Sequence, residues 1–504
     1  MHKQVDVLVV GGGINGVGIA RDAAGRGLSV MLCEKDDLAS HTSSASTKLI
    51  HGGLRYLEYY EFSLVRKALQ EREILLRAAP HIISPLRFVM PHVAHLRPSW
   101  LIRLGLFLYD HLSQRNILFG SRSINFKKHV SGQALKDSFT KGFVYSDAWV
   151  DDARLVVLNA MSARELGASI LTRTKLITAT PADNGWRAEL LGPDQKKFQV
   201  HARSIVNASG PWASTLLTQC IHPSLPEPHR HVRLIKGSHI VVNKLVDHHY
   251  AYIFQQVDGR IIFAIPYLEK YTLIGTTDLD YHDDPNAVTI SIQEIAYLCA
   301  ASNSYFKQAI SPADVVWTYS GVRPLLEQEG VANASAVTRD YQLELDTPVC
   351  TAPLLSVFGG KITTYRRLAE EALDKLMPVL GILQPSWTAI TPLPGGDIAH
   401  ADFSAFLNKF QQQYNWLPTA LSKRYAENYG SRVAILLNGV HNMAELGAEL
   451  SPGLFEIEAH YLVEHEWAQQ TEDILWRRTK LGLSATAEST QRITDWLQQH
   501  TARS

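Results

Sequence analysis

The sequence predicts an α/β protein in which a Rossmann-like nucleotide-binding domain is interleaved with an antiparallel-sheet substrate domain and followed by a C-terminal helical domain. Three observations carry this. A βαβ pattern fills the first thirty-odd residues, short strand-like runs recur between residues 239 and 275, and beyond the Pro/Gly cluster at 392–396 the composition shifts to helix formers with scattered Trp and Tyr. A chain of 504 residues is too long for one simple core, and a boundary near residue 390 divides it into 1–390 and 391–504.

Taken in order, residues 5–10 are a β-branched run suited to a strand buried on both faces. Residues 14–26 carry Ala, Gly and apolar side chains at helical spacing, and residues 28–34 read as the second parallel strand. Residues 155–166 then read as a helix, 170–174 as a strand, Asn184-Gly185 as a hairpin turn and 204–208 as another strand. Runs at 239–242, 261–265 and 273–275 suggest the antiparallel sheet. Residues 354–358 give a last buried strand, Gly359-Gly360 a turn and 363–377 an amphipathic helix, while 456–467 and 490–499 are helices of the C-terminal domain.

Composition excludes several functions. Lys and Arg number 49 and Asp and Glu number 49, so the chain lacks the broad basic field of non-specific nucleic-acid binding, and any anionic ligand must be held by local charges. Cys33, Cys220, Cys299 and Cys350 form no CxxC or zinc spacing, which argues against a metal site or disulfide framework and fits a reducing compartment. The apolar stretch at 7–10 is too short for a signal peptide. The longer one at 101–109 is broken by Arg103 and falls short of the roughly 20 residues of a spanning helix.

Gly11, Gly13 and Gly16 satisfy GxGxxG between the first strand and its helix, and Glu34 ends the next strand. Dinucleotides need this combination: a tight turn, bare backbone beside a pyrophosphate, close helix packing and a carboxylate for ribose hydroxyls. The motif alone does not choose NAD or FAD. A polar, glycine-rich loop follows, HTSSASTKLIHGGLRY at 41–56, able to wrap a second ligand moiety; VNASGPW at 206–212 and FGGKITTY at 358–365 add two more close-approach turns.

With these blocks the chain resembles the FAD-dependent glycerol-3-phosphate dehydrogenases, a branch of the D-amino-acid-oxidase-like flavoproteins. The resemblance extends to FVYSDAWVDDARLV at 143–156, RLIKGSHIVV at 233–242, IGTTD at 274–278 and WTYSGVRPL at 317–325. Within the family it resembles the aerobic, quinone-linked bacterial type, lacking a CxxC-rich tail and a calcium-binding extension. The resemblance implies a Rossmann-like FAD-binding domain whose cofactor contacts include Ser43, Ser46, Lys48, Leu49, Gly52, Ala208, Gly210, Gly359, Gly360, Lys361 and Thr363 besides the glycines and Glu34.

Oxidising a secondary alcohol requires a base for the hydroxyl proton and a hydride acceptor, which the resemblance implies is flavin. His51, in the loop that the family sets near the flavin, is the first candidate for base, and His239 the second; either side chain also fits a purely structural part. A dianionic phosphate in a net-neutral protein calls for clustered guanidiniums, for which Arg55, Arg323 and Arg339 are candidates, with Tyr56 as an added contact. Lys361 and the amides at 360–363, which open the helix after the last strand, would offset negative charge on reduced flavin.

The activity implied is oxidation of sn-glycerol 3-phosphate to dihydroxyacetone phosphate, with electrons passed to a membrane quinone. An oxidase that reduces oxygen to hydrogen peroxide is the rival enzyme, and a flavin-less binding protein the rival of another class. The resemblance implies a phospholipid surface on the inner face of the cytoplasmic membrane as a partner, leaves a homodimer open, and involves no nucleic acid. Residues 96–112, with Trp100, Phe107, Arg97 and Arg103, are the first expected membrane contact, and 363–377 the second.

Overall fold

A computed structural model describes residues 3–93, 97–221, 232–326, 340–346 and 352–501. Strand Lys3–Val10 runs through the middle of the first sheet, flanked in parallel by Val30–Cys33 and Lys197–Asn207. Ser169–Leu171 extends the parallel array beyond one neighbour and Leu354–Phe358 beyond the other. Val7, Leu8 and Val9 are fully buried, as a strand covered on both faces demands. Helix Ile14–Gly25 packs on this sheet beside helices Asp152–Glu165 and Tyr365–Val379.

The sequence-derived elements differ from these mainly at their ends. The second strand is Val30–Cys33 rather than 28–34, and the run at 204–208 is the end of a strand that begins at Lys197. The Asp183-Asn184 turn, with Asn184 in the left-handed region at φ 58°, joins hairpin strands Lys175–Ala182 and Gly185–Leu191.

The second sheet is largely antiparallel. Long strands Val232–Asn243 and Val315–Leu326 pair across it, and Ile261–Tyr267 and Tyr271–Gly275 form an adjacent hairpin. Ile83–Pro91 and Lys141–Val150 extend it toward the two-residue strand Leu49–Ile50. Sequence reading missed this last part, together with helix Phe62–Ala78. Chain segments from each sheet alternate, so the interleaving is topological.

Beyond residue 390 the chain is mainly helical, including Phe403–Gln413, Thr419–Tyr429, Glu456–Glu466 and Ala487–Thr501. It does not build a separate core: Leu446, Leu462, Ile474 and Trp496 share one hydrophobic cluster with Val7, Val157 and Leu373 of the first sheet's layers. Buried ion pairs cross the same boundary. Arg154 pairs with Glu466, and Arg478 with Asp37 at 2.6 Å. The expectation that 363–377 contacts a membrane fails here: Leu368, Leu373 and Leu376 lie in that shared core, and Arg366 is buried against Glu71 and Glu370.

Candidate active site

The cofactor end of the site is built by the first strand and its helix. Gly11, at φ +116°, lies so close to the neighbouring strand that a Cβ there would stand 2.5 Å from the Ala208 carbonyl oxygen; one on Gly16 would stand 1.9 Å from that of Gly11. Gly13 is different. A Cβ there would meet only Ser43 Oγ, at 3.1 Å, so its bare backbone faces open space. The Ile14 amide donates to Ser43 Oγ at 3.0 Å, fixing the long loop against the helix N-terminus.

A cavity of about 550 Å³ begins at this turn. Its wall includes Gly11, Gly13, Glu34, Ser43, Ser46 and Leu49, then Ala208, Gly210, Gly359, Gly360, Lys361 and Thr363. Glu34 accepts from the Gly12 amide at 2.6 Å and the Asp36 amide at 2.8 Å. Burial pushes its carboxyl up against the pull of those two amides. Asn15, also on the wall, donates through Nδ2 to the Gly359 carbonyl at 3.1 Å, while its buried Oδ1 has no partner among the described residues. An orphaned acceptor, a side-chain-free turn and a helix N-terminus on one wall fit a bound dinucleotide.

At the far end the wall carries His51, Tyr56 and Arg323. The His51 amide donates to Thr363 Oγ1 at 3.2 Å, which ties the loop to the start of helix Tyr365–Val379. Lys361 Nζ sits 4.0 Å from the Tyr56 ring centroid, a cation–π contact. Arg323 Nη1 donates to Asp278 at 2.7 Å and Nη2 to Thr276 Oγ1 at 3.1 Å. Gly237 makes room for it, since a Cβ there would meet Nη2 at 2.4 Å.

Five sequence candidates lie off this wall. Gly16 is packed behind the turn, and Gly52 is buried with its amide on Tyr109 Oη at 2.8 Å. Lys48 is buried in an ion pair with Asp152 at 2.7 Å and also donates to the Ser44 carbonyl, so its amine braces the loop from below. His239 is buried, stacked on Tyr319 at 4.7 Å, with Nε2 3.0 Å from Thr47 Oγ1 and Nδ1 without a partner among the described residues. Burial first, then Arg323 and Lys48, hold its pKa well below the usual histidine range. Its partner Thr47 lines the cavity. Arg55 turns toward the Tyr59 hydroxyl at 3.4 Å, and Arg339 lies outside the described residues.

Residues not singled out from sequence also shape the wall. Asp152 accepts from the Ser46 amide and hydroxyl and from Lys48, making one carboxylate the anchor of the whole loop. The Asp151-Asp152 pair that opens a helix after a strand was the available sign. Asn15 lay inside the glycine motif, and Thr276 and Asp278 inside the IGTTD block.

A family model described as FAD dependent oxidoreductase matches residues 6–366, and one described as C-terminal domain of alpha-glycerophosphate oxidase matches 386–504. The chain is 53% identical to a glycerol-3-phosphate dehydrogenase of Pseudomonas aeruginosa, covering 99% of this chain and 96% of the relative. It is 48% identical to the aerobic glycerol-3-phosphate dehydrogenase of Escherichia coli and 50% identical to a D-erythritol 1-phosphate dehydrogenase of Brucella abortus, each over 98% of both chains. Among solved structures, the glycerol-3-phosphate dehydrogenase of Bacillus halodurans complexed with FAD superposes with a TM-score of 0.76 at 28% identity, covering 99% of this chain and 94% of that one. FAD is therefore the dinucleotide that the glycine turn, Glu34 and the cavity wall accommodate, and the chain belongs to the FAD-dependent glycerol-3-phosphate dehydrogenase family.

Proposed function

We propose that this protein oxidises sn-glycerol 3-phosphate to dihydroxyacetone phosphate and delivers the electrons to a membrane quinone. The observation that carries the substrate reading is the Arg323 guanidinium on the same wall as the His51 ring and Lys361, a cationic end to a cavity in a net-neutral protein. Arg323 holds the phosphate, with Arg339 and Arg55 as assisting charges and Tyr56 as a further contact. His51 accepts the hydroxyl proton, and His239 acts behind it through Thr47. FAD, when bound, supplies the acceptor for the hydride that leaves the carbinol carbon. Lys361 and the amides after it face that end of the wall as positive charge.

The names of the relatives support glycerol 3-phosphate. The D-erythritol 1-phosphate dehydrogenase, equally similar, supports a second reading in which the polyol phosphate is one carbon longer. Quinone as acceptor rests on an exposed apolar surface, centred on helix Ser99–His111, suited to a lipid headgroup region. The division at residue 390 belongs to the same reading, supported by family matches that change over between residues 366 and 386.

Anaerobic addition of glycerol 3-phosphate should bleach the flavin, whereas amino acids and 2-hydroxy acids should not. Faster bleaching by D-erythritol 1-phosphate would transfer the assignment to the longer polyol. Reoxidation of the bleached enzyme by a soluble quinone should outpace that by oxygen; the reverse order would make it an oxidase.

A further inference from the structure

The Arg323 guanidinium does not stand alone on the cavity wall. Its partners, Thr276 Oγ1, the Thr277 carbonyl and Asp278, all come from one three-residue turn after strand Tyr271–Gly275. That turn is itself held from the side away from the cavity. Glu294, the third residue of helix Ile292–Asn303 and 4% exposed, accepts through Oε1 from Thr277 Oγ1 at 2.8 Å and from Ser238 Oγ at 2.7 Å. Through Oε2 it accepts from the Ser291 amide at 2.8 Å and pairs with Lys236 at 2.7 Å. Ser238 Oγ in turn lies 2.8 Å from Ser320 Oγ, on the strand that carries Arg323, and the Ser238 amide donates to Thr277 Oγ1 at 2.9 Å. One carboxylate thus binds both strands and the turn into a single cross-braced unit.

We propose that Glu294 is a positioning residue for the phosphate site, acting on Arg323 through Thr277 and Ser238 without touching the substrate. The inference rests on the assignment of Arg323 to the phosphate. A capping glutamate alone would need only the Ser291 amide. The second oxygen, with one hydroxyl donor from a strand and one from the turn, has no part in capping. Burial pushes the carboxyl up, and the bonds from Lys236, Ser291, Ser238 and Thr277 outweigh it, so Glu294 stays charged and every donor keeps its acceptor. Without it, Thr277 and Ser238 would rotate toward other acceptors and Arg323 would lose the rigid fork geometry that bidentate phosphate binding requires.

The test is competitive inhibition of the FAD-loaded enzyme by inorganic phosphate, together with KM and kcat for glycerol 3-phosphate. Glu294→Ala should weaken phosphate at least fivefold and raise KM more than it lowers kcat, with flavin content unchanged. Glu294→Gln, whose amide oxygen still accepts from both hydroxyls, should stay within about threefold of the parent. Arg323→Ala should weaken phosphate at least tenfold, and adding Glu294→Ala to it should cost nothing further, because the two act in series. Should Glu294→Ala fail to retain flavin, Thr277→Val carries the same test. Loss in Arg323→Ala with full phosphate affinity in Glu294→Ala, or additive losses in the double variant, overturns the inference alone. Full affinity in Arg323→Ala overturns the phosphate assignment and the inference with it.

Discussion

A single atom decides whether the glycine turn can form. At Gly16 a methyl group would stand 1.9 Å from the Gly11 carbonyl oxygen, a backbone atom that cannot swing aside, whereas at Gly13, among the described residues, it would press on the end of the Ser43 side chain alone. Gly16→Ala should therefore fold poorly and carry little flavin, while Gly13→Ala should fold normally yet lose flavin, because its methyl group enters the cavity where the bare backbone would face the pyrophosphate; thermal midpoints and absorbance ratios of the purified variants separate the two. Arg323 offers a chemical rather than steric test. Removing one charge-assisted contact to phosphate costs roughly 1.5–3 kcal/mol, about ten- to a hundredfold in kcat/KM. Arg323→Ala should lose that much with glycerol 3-phosphate and little with glycerol; equal losses on both would show that it does not read the phosphate. The glycines were legible in sequence because their constraint is local, set by neighbours a few residues away. The orientations of Lys48 and His239 were not: both depend on partners across strands, Asp152 for one and Tyr319 for the other.

The loop at 41–56 gains its shape from an element it does not belong to. Its anchor is Asp152, at the start of a helix a hundred residues later, buried with Lys48 and both hydrogen-bonding groups of Ser46. Truncating one partner of such a pair leaves an uncompensated charge and typically costs 3–5 kcal/mol. Asp152→Ala should lower the thermal midpoint and shed flavin during gel filtration. Asp152→Ala combined with Lys48→Met should recover part of both losses, since neither charge then remains; no recovery would mean that the Ser46 contacts, not the ion pair, hold the loop. Elements with continuous apolar runs, such as Leu354–Phe358, were readable end to end because both faces are buried. Strands Ile83–Pro91 and Lys141–Val150 escaped notice, interrupted as they are by Pro85, Arg87, Ser146 and Asp147, of which Ser146 and Asp147 find partners within the fold. Arg72 pairs with Asp147 from helix Phe62–Ala78, itself unread.

The molecule as a whole is joined across the boundary that sequence composition marks. His81 sits in that joint, where a Cβ on Gly395 or Gly430 would touch its ring, and both its nitrogens lack partners among the described residues. Burial, with Arg154 adding to it, depresses its pKa to about 3. The unfolded chain takes up this proton near pH 6.5 and the folded protein refuses it, so stability is full above that pH and falls steadily between 6.5 and 3, by up to about 5 kcal/mol. Thermal midpoints measured from pH 8 to pH 5 should drop less steeply in His81→Leu than in the parent; parallel curves would remove His81 from the joint. On the opposite kind of surface, helix Ser99–His111 turns Trp100, Leu104, Phe107 and Leu108 outward, with Trp100 68% and Phe107 49% exposed. Tyr60, 81% exposed, lies in the adjoining turn, and Arg103 ties the segment of Phe119, 74% exposed, alongside through Ser121. Among the described residues no helix is long and apolar enough to cross a membrane, and exposed aromatic and aliphatic side chains on one helix, with Arg97 near its start, suit the boundary of headgroups and acyl chains. The parent protein should sediment with anionic phospholipid vesicles, and its quinone reductase rate should rise with them. Trp100→Ser combined with Phe107→Ser should abolish sedimentation and that rise, while anaerobic flavin bleaching by glycerol 3-phosphate proceeds at the parental rate because the reducing half-reaction needs no lipid. Vesicle binding that survives the double substitution would move the attachment to another surface.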